Sequence, residues 1–185
     1  MIEIYFTKNK DVYRKAEILI ARKLNRAFTI LRTKNGKPYI EGDPLYFSIT
    51  HSGGRALIAI CDKPVGVDME LYDTNGRLKN YKHVLSRFTE REKKQIDENF
   101  ECFFLNWVCK EAYIKMNGGT LARDLKRLEY AYDKLYVDGR EADCGYAVVT
   151  GYRTGAYAVC AKGYSDCELC ECPFKLFRIR KGEKL

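Results

Sequence analysis

The stretch Pro64-Val-Gly-Val-Asp-Met-Glu70 constrains this chain most. Side chains of an extended strand alternate faces, so Val65 and Val67 point one way and Gly66, Asp68 and Glu70 the other. Two carboxylates at i and i+2 then lie side by side, next to a glycine that leaves room for a guest. Adjacent like charges repel unless something positive lies between them. A hard divalent cation carrying phosphate oxygens suits such a pair, since Mg²⁺ takes one or two carboxylates plus substrate phosphates. The plain alternative is a solvent-facing pair at a strand end.

Length and composition set the frame for that pair. At 185 residues, 46% of them hydrophobic, the chain can bury a real core in one or two small domains. No apolar run approaches the roughly 18 residues of a membrane span. The opening Met1-Ile-Glu-Ile-Tyr-Phe6 carries an acid and reads as a first strand rather than a signal peptide, so a cytoplasmic protein with no membrane partner is expected. Eight cysteines fit that location as reduced thiols. Cys61, Cys102, Cys109, Cys144 and Cys160 sit in apolar segments, where a free thiol behaves as a small hydrophobe. Cys167, Cys170 and Cys172 form a Cys-x-x-Cys-x-Cys near the tail; a zinc site would need a fourth ligand, and no histidine is near in sequence. A net charge of +8 suits an anionic partner without choosing among them.

In chain order, residues 2–6 read as a strand. Apolar positions Val12, Ile18, Leu19, Ile20 and Leu24 then fall near helical spacing, with Asp11 as N-cap and Arg14, Lys15, Arg22 and Lys23 as a basic face. Thr33-Lys-Asn-Gly-Lys-Pro-Tyr39 is a turn, and its Lys37 is placed to grip a phosphate. Tyr46–Thr50 is a strand leading to His51 and the Gly53-Gly54 turn, where ligands can approach the backbone. A lone histidine there is otherwise incidental. Arg55–Cys61 reads as a buried strand feeding the acidic one.

From about Gly76 the pattern turns helical through Leu78, Tyr81, Val84 and Leu85, ending near Phe88. Thr89 and Glu92 have capping-box spacing, so Glu92 is either a cap partner or a catalytic carboxylate. Phe100–Met116 carries the strongest helical signal, with Phe103, Phe104, Trp107, Val108, Ala112 and Ile114 as its apolar face. Trp107, Glu111 and Lys115 are spaced by four and share one stripe; an exposed Glu–Lys pair is the plain reading. Asn117-Gly-Gly119 ends the helix. Four strands are expected at 125–131, 134–138, 145–151 and 155–161, with Asp138-Gly139 turning the second into the third. Each half is thus a helical element followed by a meander, and α+β is the expected class.

Four separated motifs then coincide: Gly36-Lys-Pro38, Phe47-Ser-Ile-Thr-His-Ser52, Gly66-Val-Asp-Met-Glu70 and Trp107-Val-Cys-Lys-Glu-Ala-Tyr-Ile-Lys115. In this order and spacing they resemble the 4′-phosphopantetheinyl transferases of the surfactin-synthetase-activating type, over residues 30–120 by motif and to about 165 by strand pattern. The resemblance implies a pseudo-duplicated α+β fold, with helices packed on a mainly antiparallel sheet in each half. Its parts would be residues 1–73, residues 74–165 and a Cys-rich tail, 166–185. It implies a monomer that moves the phosphopantetheine arm of coenzyme A onto a serine of an apo acyl or peptidyl carrier protein, releasing adenosine 3′,5′-bisphosphate. Asp68, Glu70 and Glu111 match the family's Mg²⁺-binding acids, with Mn²⁺ the other cation expected there. Lys115 and Lys110 match the helix lysines, with Lys115 on the phosphates. Lys37, Thr50 and His51 match positions that hold the 3′-phosphate, and Gly36, Lys37 and Pro38 border the adenine. Glu92 and Glu111 are rival bases for the carrier serine.

Some positions depart from that pattern. Thr50 stands where serine is common, which keeps the hydroxyl. The basic N-terminal segment of larger members has no counterpart, leaving Arg14 or Lys15 as substitutes, and the Cys-rich tail has none. The other class of function is a non-catalytic module that binds coenzyme A or carrier proteins. RNA binding is not expected without an RNP-type aromatic strand or a basic stripe, nor nucleotide hydrolysis without a P-loop.

Overall fold

The computed structural model describes residues 2–71, 81–99, 101–151 and 155–163. The expected helix onset at Gly76 and Leu78, the break at 72–76 and the Cys167, Cys170 and Cys172 cluster lie outside them. Among the described residues the order is β1 (Ile2–Lys8), α1 (Val12–Leu24), β2 (Ile30–Arg32), β3 (Pro38–Ile40), β4 (Tyr46–Ser52), β5 (Arg55–Cys61) and β6 (Val65–Leu71). Then come α2 (Tyr81–Leu85), α3 (Glu90–Glu98), α4 (Glu101–Asn117), α5 (Leu121–Asp124), β7 (Leu128–Ala131), β8 (Lys134–Val137), β9 (Arg140–Glu141), β10 (Gly145–Gly151) and β11 (Gly155–Ala161). Among the described residues every strand pairing is antiparallel, consistent with an α+β protein.

Two three-stranded sheets form the centre, ordered β1-β5-β4 and β10-β11-β6. Alternation along β5 assigns its residues to two cores. Leu57, Ala59 and Cys61 join Ile2, Ile4, Val65, Val67, Met69 and Val159 between the sheets. Ala56, Ile58 and Ile60 face the other way, onto Val12, Ala16 and Ile20 of α1. On β11, Ala156, Ala158 and Cys160 turn instead to α4, joining Val108, Ala112 and Met116. The stacking is therefore α1, sheet, sheet, α4, with β7-β8-β9 and α3 packed beyond α4.

Glycine sets the spacing between β6 and α4. A Cβ at Gly66 would stand 2.0 Å from the Ala112 carbonyl oxygen and 2.4 Å from the Met116 amide nitrogen. The room beside the carboxylates is therefore filled by helix backbone, not by a guest. Strand β6 pairs with β11 in register Asp68↔Ala158, so strands from residues 1–73 and 74–165 share one sheet.

Several local expectations change. Asp11 makes no side-chain cap; it takes a left-handed φ of 58°, and the helix start is tied by Val12 N–H to the Asn9 carbonyl. Ile18 is exposed, and Ala16 takes its place in the i, i+4, i+8 stripe of Val12, Ala16 and Ile20. His51 and Ser52 continue β4, which turns only at Gly53-Gly54. The 33–39 turn closes a short β2–β3 hairpin. Residues 121–127, expected as strand in part, form α5 and a 3₁₀ turn, and Asp138-Gly139 leads into the two-residue β9 rather than into β10.

Candidate active site

The hydroxyls of β4 position the acids of β6. Ser48, Thr50 and Ser52 alternate on the face turned toward the second sheet. Val67 N–H donates to Ser48 Oγ at 3.1 Å, Thr50 Oγ1 donates to Asp68 Oδ1 at 2.9 Å, and Ser52 Oγ donates to Glu70 Oε2 at 2.8 Å. Leu71 N–H donates to Ser52 Oγ at 3.2 Å. The two sheets, which share no strand, are joined along this edge by a row of side chains. Thr50 and Asp68 matched the quoted motifs; the roles of Ser48 and Ser52 went unread. The legible signal was the hydroxyl at every second residue of β4.

Because α4 lies directly on Gly66, its stripe reaches the same carboxylates. Lys115 Nζ is 2.5 Å from Asp68 Oδ1 and 3.5 Å from Glu111 Oε2. The Asp68 side chain is 5% exposed, Glu111 16% and Lys115 30%, which leaves a partly dry cluster open on the lysine side. Burial, helped by the like charges of Asp68 and Glu70 and opposed by Lys115, raises the Glu111 carboxyl to about 7. Burial likewise lifts Asp68 against the pull of Lys115 and Thr50. Burial works against the charge on Lys115, but Asp68 and Glu111 outweigh it and hold that ammonium above its ordinary value.

Among the described residues no three His, Cys, Asp or Glu side chains converge as a ready-made metal centre. The donor chemistry nonetheless fits a divalent cation. Asp68 Oδ2 is buried with no hydrogen-bond partner, an arrangement that a positive charge relieves. Glu70 is turned to Ser52, one strand position further along the same face.

Glu92 and Lys110 stand apart from this cluster. Both side chains are fully buried, with Lys110 Nζ 2.6 Å from Glu92 Oε2. Glu92 Oε2 also accepts from Thr89 N–H, completing the capping box of α3, and Oε1 accepts from Tyr130 N–H at 2.9 Å. Lys110 lies 4.0 Å above the Phe88 ring. Burial lowers its proton affinity and Glu92 restores part of it. The pair ties α4 to α3 and β7, and neither group reaches Asp68 or Lys115.

A cavity of about 230 Å³ opens beside Lys115, walled by Tyr13, Arg32, Gly36, Pro38 and Ser48 among others. Lys37 lines it too, but its ammonium turns inward to the Met116 carbonyl at 2.5 Å. His51 is exposed, and Arg14 is exposed on α1 beside the cavity residue Tyr13.

A profile of the 4′-phosphopantetheinyl transferase superfamily matches residues 64–138, the span from the acidic strand through α4 to the β8 turn. The human L-aminoadipate-semialdehyde dehydrogenase-phosphopantetheinyl transferase is 32% identical over 139 residues, 65% of this chain and 45% of that protein. The 4′-phosphopantetheinyl transferase of Bacillus subtilis is 33% identical over 93 residues, 49% of this chain and 41% of that protein. The 4′-phosphopantetheinyl transferase AcpT of Salmonella typhimurium is 30% identical over 108 residues, 56% of each chain. The chain thus spans about half the length of the curated relatives it matches. The acids of β6 and the lysine of α4 meet inside the span over which this chain is similar to the 4′-phosphopantetheinyl transferase superfamily.

Proposed function

We propose that this chain transfers the 4′-phosphopantetheine arm of coenzyme A to a serine hydroxyl of an apo carrier protein. The observation that carries the reading is Lys115, whose ammonium joins Asp68 and Glu111 at the wall of the 230 Å³ cavity. The nucleotide end of coenzyme A lodges there against Gly36 and Pro38, with the exposed His51 and Arg14 as the residues for the 3′-phosphate. The serine Oγ forms a bond to the β-phosphorus, and the bond from that phosphorus to the bridging oxygen breaks. Adenosine 3′,5′-bisphosphate leaves with that oxygen, and Lys115 stabilises the charge growing on it.

Asp68, Glu70 and Glu111 are the residues that would hold Mg²⁺, or Mn²⁺ in its place. When bound, the cation neutralises pyrophosphate charge. Glu111, raised to about 7, is also the carboxylate of the cluster best able to take the serine proton. Metal ligation weakens a carboxylate as a base, so its two roles compete. Glu92 has both oxygens engaged and serves α3 and β7. The excess of basic residues favours encounter with acidic carrier proteins.

The surfactin-type pseudo-dimer is the arrangement that fits this reading, with residues 1–73 and 74–165 as its halves and 166–185 as an appended tail. Support comes from a helix-then-meander order in each half and from motifs contributed by both. One chain then suffices as a monomer, in the cytoplasm where coenzyme A and carrier proteins meet. Among the described residues no helix is long and apolar enough to cross a membrane.

The test is intact-mass spectrometry of an apo carrier protein incubated with the chain, coenzyme A and Mg²⁺. A gain of one phosphopantetheine, lost on chelation, is expected. Absence of the gain across several carrier types, with coenzyme A still binding, would replace this reading with the non-catalytic module.

A further inference from the structure

Residues 33–37 form a turn that is bonded to itself before it is bonded to anything else. Gly36 N–H donates to the Thr33 carbonyl at 2.8 Å, Thr33 N–H to the Lys37 carbonyl at 2.9 Å, and Lys37 N–H to Thr33 Oγ1 at 3.1 Å. Gly36, at φ 84°, permits the reversal. Arg32 reaches over the turn to the Gly36 carbonyl at 2.9 Å. Such a turn holds its shape and can act as a fixed arm.

The arm ends on α4. Gly118, at φ 63°, ends that helix, with Gly119 N–H closing on the Ile114 carbonyl at 2.9 Å and Gly118 N–H on Lys115 at 3.3 Å. Those bonds leave the Met116 carbonyl to be satisfied. Lys37 Nζ donates to it at 2.5 Å and to the Val65 carbonyl at the start of β6 at 3.4 Å. Asn35 Nδ2 donates to the Gly118 carbonyl at 2.8 Å. A cation at a helix C-terminus is favoured by the helix dipole. One side chain thus fastens the β2–β3 hairpin to β6 and α4, one residue beyond Lys115.

We propose that Lys37 is a positioning residue: it pins the end of α4 to β6 so that Lys115 stays over Asp68. It does not grip a ligand phosphate. Gly66 lets the α4 backbone lie directly on β6, and the Lys37 bonds to Val65 and Met116 fasten the two elements at the same level. Asn35, Gly36 and Lys37 also wall the cavity beside Lys115, so a ligand seated there bears on the arm that holds the helix.

The inference rests on the proposed transfer only where activity is read, so the first readout is structural. Hydrogen–deuterium exchange is measured on the full chain without ligand, comparing wild type with Lys37→Met and Lys37→Arg. In Lys37→Met the amides of Lys115 to Gly119 should exchange about tenfold faster or more, as expected for losing a hydrogen bond from a charged donor. Lys37→Arg, which keeps a cationic donor, should retain most of the protection. Unchanged exchange in Lys37→Met overturns the pin, whatever the activity. The second readout is transfer from coenzyme A and from its 3′-dephospho form. A lowered kcat, by the same factor for both, is expected. A loss confined to the phosphorylated donor would instead make Lys37 a phosphate ligand. If wild type transfers from neither donor, the transfer reading fails, while the exchange result still decides the pin.

Discussion

Gly66 lies so close to Ala112 that an added Cβ would stand 2.0 Å from the Ala112 carbonyl oxygen. The neighbour is helix backbone, which cannot swing aside as a side chain can. Gly66→Ala must therefore push α4 off β6 and carry Glu111 and Lys115 away from Asp68. Overpacking of this kind costs about 1–3 kcal/mol or more, and in a chain of this size each kcal/mol lowers Tm by roughly 2–4 °C. Thermal unfolding and coenzyme A titration should both suffer. A variant with wild-type Tm and affinity would show that the helix contact is loose.

Glu92 and Lys110 form a fully buried ion pair. Removing one partner strands the other charge, at about 3–5 kcal/mol, whereas replacing both is far milder. Glu92→Gln keeps the shape of the capping box but leaves Lys110 unpaired, and should be strongly destabilised. Adding Lys110→Met should restore much of the stability and the transfer rate together. Chemical denaturation of the two single variants and the double variant gives the coupling. A folded, stable double variant that remains inactive would return Glu92 to the role of base.

The chain shows its site more plainly than its fold. The pairing of Asp68 with Glu70 followed from strand alternation, and the reach of Glu111 to Lys115 from the i,i+4 rule, both short-range and local. Glu92 also carried its structural meaning in a local pattern, since Thr89 stands three residues before it. Ile18 misled because apolar spacing cannot tell a buried position from an exposed one, and Ala16 was too small to register. The Lys37 contact with Met116 spans 79 residues and could not be read from spacing at all. Nor could the filling of the space at Gly66 by a helix that comes 46 positions later, at Ala112.

Burial brings Lys37 down from 10.5 to about 8. Between those values the unfolded chain binds more protons at this residue than the folded one, so the Lys37 contribution makes stability rise with pH across that window. Below about 8 both states are protonated and the cost of burying the charge is constant. The slope approaches 1.4 kcal/mol per pH unit as an upper bound for a single proton, roughly. Denaturation of wild type and Lys37→Met from pH 7 to 11, about the range needed to bracket both values, isolates the difference. Parallel pH dependences would mean that Lys37 titrates as an exposed lysine. An NMR titration of the reductively methylated amine checks the value directly.

Asp68 presents one oxygen to Thr50 and Lys115 and the other, Oδ2, to no partner among the described residues. A buried carboxylate with an unmet oxygen is a cost the metal-free fold carries. Asp68→Asn removes the charge and keeps the shape. The metal-free variant should therefore be no less stable than wild type, although Lys115 then leans on Glu111 alone. Turnover should fall by about 10²–10³, the usual loss when one electrostatic contact to the reacting group is removed. Thermal unfolding with and without Mg²⁺ separates the two roles of the carboxylate. Wild type should gain stability on adding Mg²⁺, and Asp68→Asn should gain little, because the charge that draws the cation into the cluster is gone. An undiminished Mg²⁺ effect, together with a destabilised metal-free variant, would mean that Asp68 serves to hold Lys115 and Thr50 in place, and the cation would have to be sought at Glu70 and Glu111.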